Sequence, residues 1–222
     1  MRIHYGFRSF RASLFGFILF FILGSASYAG ELVYPPECEE PGCLRTAQMT
    51  DWPSSPQESV FTMELHRFSL ALPSQPKRVA RQWGGDVFVA GQDNSLFVFS
   101  LVTTYGGVEG VPMPQKSNFS VADSGRFIFT KTVEDSRPED PNDLWIWLWA
   151  IDEKQMFFGK DNPVYTATKG SLTVYFWEDI RSKDSARAFI FDSESPECYV
   201  RVHARDITFD EFKKIVGSVT MK

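Results

Sequence analysis

Residues 164–177 have the sequence VYTATKGSLTVYFW, in which two runs of β-branched and aromatic residues are joined by Lys169 and Gly170. Such runs favour strands, and a short turn containing glycine between them is typical of a β-hairpin. A second hairpin is predicted just downstream, where residues 188–191 lead through a polar turn into residues 199–203. The two hairpins predict an antiparallel sheet at the centre of the fold.

Similar patterns occur nearer the N-terminus. Residues 86–90 and 95–102 flank a short Gly- and Asn-containing turn and predict another hairpin. Residues 66–72 alternate between apolar and polar side chains before a proline, which predicts a further strand. Residues 118–131 fit neither the helical nor the strand period.

The C-terminus has the clearest helical pattern. Thr208 and Glu211 have the spacing of a capping box, in which each side chain accepts a hydrogen bond from the first turn. Apolar side chains then recur at helical spacing, at Phe209, Phe212, Ile215, Val216 and Val219. We therefore predict an α+β domain, an antiparallel sheet flanked by helices in an α/β/α sandwich-like arrangement with a C-terminal amphipathic helix.

The first residues have the pattern of an export signal. Residues 1–29 begin with three arginines, continue through the apolar run 14–23 and end in small residues at Ala29. We predict a signal peptide over 1–29, a Pro-rich extended segment over 30–60 and one α+β domain over 61–222. The expected location is the periplasm or the extracellular space, without stable membrane insertion once the signal is removed.

The charge of the exported part limits its partners. The whole chain has 23 basic and 28 acidic residues, and the leader contains three arginines and no acid, which leaves 20 basic against 28 acidic residues, a net charge of −8. Nucleic acid is disfavoured, since its binding depends on Lys and Arg contacts to phosphates. A protein partner, basic in charge, is the partner that this composition permits.

Three cysteines follow the leader. Cys38 and Cys43 bracket a Pro-Gly turn and are the favoured disulfide pair, although pairing of either with Cys198 is open on sequence alone. A zinc site formed by these three residues and His203 is disfavoured, because structural zinc ligands are usually more closely spaced. No metal or other cofactor is predicted.

Residues 143–151, with the sequence DLWIWLWAI, are the most unusual stretch. The acidic and basic residues that follow favour a helix over a central strand. Its tryptophans are either large core residues or part of a partner or ligand surface, and the exposure of Ile146 and Trp147 decides between these interpretations. The residues assigned to the candidate surface are Trp145, Ile146, Trp147 and Trp149.

The sequence contains no nucleophile elbow, zinc-protease motif or phosphate-binding glycine loop. Glu178 with Asp179, and His203 with Asp206, are the polar pairs considered for acid–base chemistry, and a structural role is favoured for both. No catalytic residue is therefore predicted.

Residues 68–73 (FSLALP) and 208–218 (TFDEFKKIVGS) resemble the corresponding parts of the PsbP-like group of small α/β/α proteins. The resemblance implies an antiparallel sheet flanked by helices, used for binding and assembly. The leading functional hypothesis is an exported, non-catalytic protein-binding module, such as a periplasmic inhibitor or immunity protein, or an assembly factor. The alternatives are a small-molecule or lipid carrier with the tryptophan segment lining its cavity, and a carboxylate-based hydrolase.

Overall fold

The structure is a computed structural model, and it describes residues 41–54, 58–82, 85–105, 116–158, 162–179 and 182–222. The predicted signal peptide and Cys38 lie outside the described residues. The described residues all belong to one unit, which runs from Pro35 to Lys222. Among the helices in these ranges, none has the length and apolarity required to span a bilayer.

Eleven strands and three α-helices are formed by the described residues. The strands are β1 (Gln48–Met49), β2 (Phe61–Leu65), β3 (Phe68–Leu72), β4 (Pro76–Arg81), β5 (Val87–Gly91), β6 (Leu96–Val102), β7 (Tyr165–Lys169), β8 (Leu172–Glu178), β9 (Ser185–Asp192), β10 (Tyr199–Arg205) and β11 (Thr220–Met221). The helices are α1 (Val121–Thr130), α2 (Pro141–Phe157) and α3 (Phe209–Gly217), and a 3₁₀ turn lies at Pro41–Leu44.

The strands form two sheets. Eight of them make a large mixed sheet in the order β1-β7-β8-β9-β10-β6-β5-β4, and three make an antiparallel sheet in the order β11-β3-β2. All neighbours in the large sheet are antiparallel except β1 and β7, which are parallel. The predicted α+β class is confirmed, as are the hairpins β5–β6, β7–β8 and β9–β10.

The large sheet has a core on each face. One core joins it to the small sheet and to α3, and it includes Phe68, Val174 and Phe212. The other lies between the large sheet and helices α1 and α2, and it is rich in aromatic side chains. Strand β10 shows the alternation that serves both cores, since Val200 faces the first and Tyr199 the second.

Helix α2 confirms the helical interpretation of the tryptophan segment. Asp140 caps it by accepting hydrogen bonds from the backbone N–H groups of Asn142 (2.8 Å) and Asp143 (3.1 Å). Helix α1 was ambiguous from its apolar pattern, but it begins with a capping box formed by Ser120 and Asp123. That box is visible in the sequence and identifies the start of the helix.

Part of the predicted extended segment packs onto the helices. The backbone N–H of Ala47 donates to the carbonyl of Phe129 at 3.0 Å, and that of Val133 donates to the carbonyl of Cys43 at 3.4 Å. Lys154 of α2 donates from Nζ to the carbonyl of Arg45. The segment over residues 41–49 therefore belongs to the folded body.

Gly125 allows α1 to approach the sheet closely. A Cβ atom at this position would lie 2.8 Å from Cζ of Tyr199 and 3.0 Å from Cε1 of Phe191. We predict that Gly125→Ala lowers the free energy of unfolding by about 1–3 kcal/mol, because overpacking against two buried rings outweighs the better helix propensity of alanine. Urea denaturation measures the change. Thr130→Ala, at an exposed site on the same helix, serves as the control, and a stabilised Gly125→Ala variant would contradict this packing.

Candidate functional site

The four side chains assigned to a candidate binding surface on α2 are buried. Their exposed fractions are 8% for Trp145, 0% for Ile146, 1% for Trp147 and 3% for Trp149. Because Ile146 and Trp147 are both inaccessible, the prediction of an exposed contact surface at these residues is wrong. The tryptophans of α2 are core residues.

The side chains of α2 are buried because other parts of the chain pack around the helix. One side packs on α1 and on the aromatic core of the sheet, where Phe129 stacks on Tyr175 at 4.4 Å and meets Phe189 edge-on at 5.1 Å. Ala47, from the N-terminal segment, packs against the same core. The sequence pattern of α2 could not show that residues so far upstream cover the helix.

Helices α1 and α2 leave part of the large sheet less covered. A row of side chains runs across the strands on the same face, in the order Ala80, Phe88, Val98, His203, Arg187. All five have intermediate exposure, unlike the buried aromatic residues under the helices. The row therefore combines an apolar stretch on β4–β6 with a polar and basic end on β9 and β10.

A second row lies beside the first. It contains Arg78, Ala90, Leu96 and Arg205, which are paired across β4, β5, β6 and β10. Both arginines are exposed, and the two apolar residues between them have intermediate exposure. Apolar side chains thus occupy the middle of this face, with guanidinium groups on either side.

Arg201 borders the same surface next to the helices. Its guanidinium lies 4.9 Å from the centre of the Phe189 ring, and its Nη2 donates to the hydroxyl of Tyr199 at 2.9 Å. Its Nε is buried and has no hydrogen-bond partner among the described residues. Glu153 of α2 lies nearby, and burial raises the pKa of its carboxyl, with the charge of Arg201 opposing that shift.

The basic end of the face contains one ion pair and one neutral imidazole. Arg187 donates from Nε to Oδ2 of Asp179 at 2.8 Å. His203 Nε2 lies 3.0 Å from the hydroxyl of Ser185. Burial, with a further contribution from the positive charges of Arg187 and Arg205, lowers the pKa of His203 to about 4. The imidazole is therefore neutral at physiological pH, and part of its shift reflects a positive local potential.

We call this surface the arginine face. Its basic residues are Arg78, Arg187, Arg201 and Arg205, and its apolar residues are Ala80, Phe88, Ala90, Leu96 and Val98. Arginine around an apolar centre is the composition typical of protein interfaces. The sign of the local charge is opposite to the net charge of −8 that residues 30–222 carry.

The two polar pairs considered for acid–base chemistry have structural partners. Asp179 is nearly buried and bonded to Arg187, whereas its neighbour Glu178 is exposed. His203 contacts Ser185 rather than Asp206. Ser185 is only 1% exposed, and its hydroxyl also donates to the carbonyl of Ala204, so this serine and histidine are poorly placed to meet a substrate.

A separate groove of about 430 Å³ lies between the N-terminal segment, the β7–β8 hairpin and α3. Tyr165 and Phe209 stack in it with ring centres 6.1 Å apart. Trp52 forms another part of the wall and donates from Nε1 to the carbonyl of Gly217 at 3.1 Å. We call it the aromatic groove. Its lining includes one carboxylate, Asp51.

Cys198 is a free, buried thiol. The alternatives that pair it with Cys38 or Cys43 are therefore not formed. Cys43 is also buried, at 0% exposure. Because Cys38 lies outside the described residues, the favoured pairing of Cys38 with Cys43 stays a prediction.

Comparisons with protein-family models, with curated proteins and with solved structures found no match to this chain. The resemblance to the PsbP-like group therefore stays a prediction, and the function must be inferred from the geometry alone.

The arginine face was not predicted from the sequence. The alternation in residues 185–191 and 199–205 places arginines on one face of β9 and β10, and that signal was available. Arg78 could not be added, because β4 was not predicted and its distance from β10 in the sequence is large.

Lys154 is the most unusual ionisable group outside the arginine face. It is fully buried, and its Nζ lies 4.3 Å from the centre of the Phe158 ring. Burial lowers the pKa of Lys154 to about 7, with a smaller opposing effect of Asp135. Since Nζ donates to the carbonyl of Arg45, the lysine fastens the N-terminal segment to α2.

We predict that Lys154→Met changes the pH dependence of stability. The folded protein binds this proton more weakly than the unfolded chain, so the wild type is penalised below about pH 7 and gains stability as the pH rises from about 7 toward 10.5. The variant lacks that rise and is more stable at pH 6, by about 1–3 kcal/mol. Urea denaturation between pH 6 and 10 tests this, and parallel pH profiles for the two proteins would contradict it.

Proposed function

We propose that this chain is an exported, non-catalytic protein-binding module whose partner docks on the arginine face. The observation that supports the proposal is the composition of that face, where half-exposed apolar side chains are surrounded by four arginines. Arginine contributes strongly to interfaces, because its planar group stacks and forms several hydrogen bonds at once.

The local charge determines the kind of partner. The net negative charge of the exported chain favours a basic partner. A partner contacts only one surface, however, and the charge of that surface differs from the net charge of the molecule. On the arginine face, Asp179 is already bonded to Arg187, while Arg78 and Arg205 are exposed. We therefore propose a partner that presents an acidic protein segment, because opposite charges steer association and select against wrong partners.

The construction of the face supports a role in inhibition or assembly. Strands β5, β6 and β10 of this face are backed on their other side by the core that includes Val89, Phe97 and Val202. A sheet held in this way loses little conformational entropy on binding. An inhibitor or immunity protein, or an assembly factor, uses such a preorganised surface without any chemical step.

The geometry gives less support to a hydrolase. A carboxylate-based mechanism needs two carboxyl groups in one cleft with separated pKa values. Glu153 has a raised pKa, but the only carboxylate that the described residues contribute to the aromatic groove is Asp51. Among the described residues, those that line a second groove of about 450 Å³ beside Arg45 and Phe158 include no carboxylate.

We predict that Arg78→Glu combined with Arg205→Glu weakens partner binding by at least about tenfold and removes its dependence on salt. The partner is first captured from the compartment to which the chain is exported, and its affinity is then measured by calorimetry at low and high ionic strength. Both positions are exposed, so the reversals leave the fold intact.

Lys77→Glu combined with Lys214→Glu is the matched control, because it makes the same change in net charge at exposed positions off the arginine face. The proposal requires the control to bind like the wild type and the captured protein to present an acidic surface. Equal loss in both double variants, or a captured partner that binds both variants normally, would overturn it.

The aromatic groove favours a second candidate function, a carrier for a small apolar ligand. Its volume of about 430 Å³ suits a ligand of modest size, and aromatic rings provide flat apolar contact area. The tryptophans of α2, which were predicted to line the cavity of such a carrier, are packed in the core and do not line this groove. The carrier hypothesis therefore depends on Trp52, Tyr165 and Phe209.

We predict that, if the chain is a carrier, the uncharged fluorescent dye N-phenyl-1-naphthylamine binds in the aromatic groove. Phe209→Ala then weakens dye binding at least about fivefold, because the variant removes one ring of the stacked pair. Phe88→Ala, a matched loss of a ring on the arginine face, leaves it unchanged. Dye binding that is absent, or equally affected by both variants, would dismiss the carrier function.

A further inference from the structure

Three metal-ligating side chains meet at the ends of two hairpins. His66 lies in the turn between β2 and β3, while Glu197 and Cys198 lie in the turn between β9 and β10. One ligand atom from each residue lies within 4.8 Å of the other two. The set differs from the disfavoured zinc set of Cys38, Cys43, Cys198 and His203, since it uses another histidine and a carboxylate.

Arg67 fastens the two turns to each other. Its Nη1 donates to the hydroxyl of Ser195 at 2.7 Å and lies 3.6 Å from Oδ2 of the buried Asp192. Its Nη2 lies 3.7 Å from Oε2 of Glu194. Because Arg67 follows His66 directly in the sequence, these contacts fix the position of His66 relative to the β9–β10 turn.

The electrostatic surroundings of the three side chains are negative. The charges of Glu197 and Asp192 act on the thiol of Cys198, against that of Arg67, and Glu194 pairs with Arg67. Arg67 is largely compensated by its own acidic partners. A cation placed between His66, Glu197 and Cys198 therefore meets an excess of negative charge.

We propose that His66, Glu197 and Cys198 form a Zn²⁺ site with three protein ligands and a fourth position open to water. A thiolate, an imidazole and a carboxylate are all ordinary zinc ligands, and three protein ligands with one open position is a common zinc arrangement. Bound zinc links the small sheet to the large sheet. It also occupies a thiol that is otherwise free in an oxidising compartment.

The required movement is small. Tetrahedral zinc with bonds of about 2.0–2.3 Å holds its ligand atoms about 3.3–3.8 Å apart. Atoms that now lie within 4.8 Å of one another must approach by about 1 Å. His66 and Glu197 are both exposed, so their side chains can move toward the buried sulfur of Cys198 without repacking the core.

The test is a titration of the metal-free protein with Zn²⁺ alone, in competition with a chromophoric chelator and without reductant, so that the predicted Cys38–Cys43 disulfide stays closed. Co²⁺ is added in a parallel sample, because a thiolate ligand gives cobalt an intense near-ultraviolet absorption band. We expect one zinc per chain and a cobalt–thiolate band. His66→Asn, Glu197→Gln and Cys198→Ser should each weaken Zn²⁺ binding by more than about tenfold.

Asn is the replacement for His66 because the residue has a φ of 52°, a left-handed conformation that Asn tolerates better than most residues. His203→Asn is the control at a histidine outside the cluster, and it should bind zinc like the wild type. Circular dichroism checks that each variant is folded. The three-ligand site is overturned if the protein binds no zinc or if Cys198→Ser binds zinc as tightly as the wild type. It is also overturned if Cys198→Ser weakens zinc binding but His66→Asn and Glu197→Gln do not.

Discussion

The structure depends on the aromatic layer between the large sheet and helices α1 and α2. Phe129 is its centre, in contact with Tyr175, Trp177 and Phe189 from two neighbouring strands. Burial of such rings contributes most of the favourable free energy on this face of the sheet, and edge-to-face contacts add to it. Gly125 permits the close approach that this layer needs, and the N-terminal segment closes it from outside.

Two helices of ten and seventeen residues are short relative to an eight-stranded sheet. The aromatic residues they cover lie mainly on β8, β9 and the start of β10. On β4, β5 and β6 the same face carries half-exposed apolar residues between arginines. The opposite face of β5 and β6 is filled by the first core, which includes Val89 and Phe97, so these two strands are held firmly without a helix over them. The proposed docking surface thus exists because the aromatic layer covers β8, β9 and the start of β10 but does not extend over β4, β5 and β6.

Local patterns predicted much of this fold. The hairpins and α3 were correctly predicted because strand alternation, turn glycines and a capping box involve residues close in sequence. The exposure of Trp147 could not be predicted, since it depends on α1, the sheet and the upstream segment. The candidate sites could not be predicted for the same reason. Arg78 lies in the same row as Arg205 because of the order of the strands in the sheet, and His66 lies near Cys198 because the two sheets pack together.

The most direct test of the arginine face is site-specific photo-crosslinking in living cells. A photoreactive phenylalanine analogue is placed at Val98, in the middle of the face, and in a second strain at Met49, which is 78% exposed at the opposite edge of the sheet. The docking proposal predicts a covalent adduct from Val98 with one protein that carries an acidic surface, and none with that protein from Met49. An adduct with that protein from Met49 alone, or no adduct from Val98 in the cell that produces the protein, would contradict it.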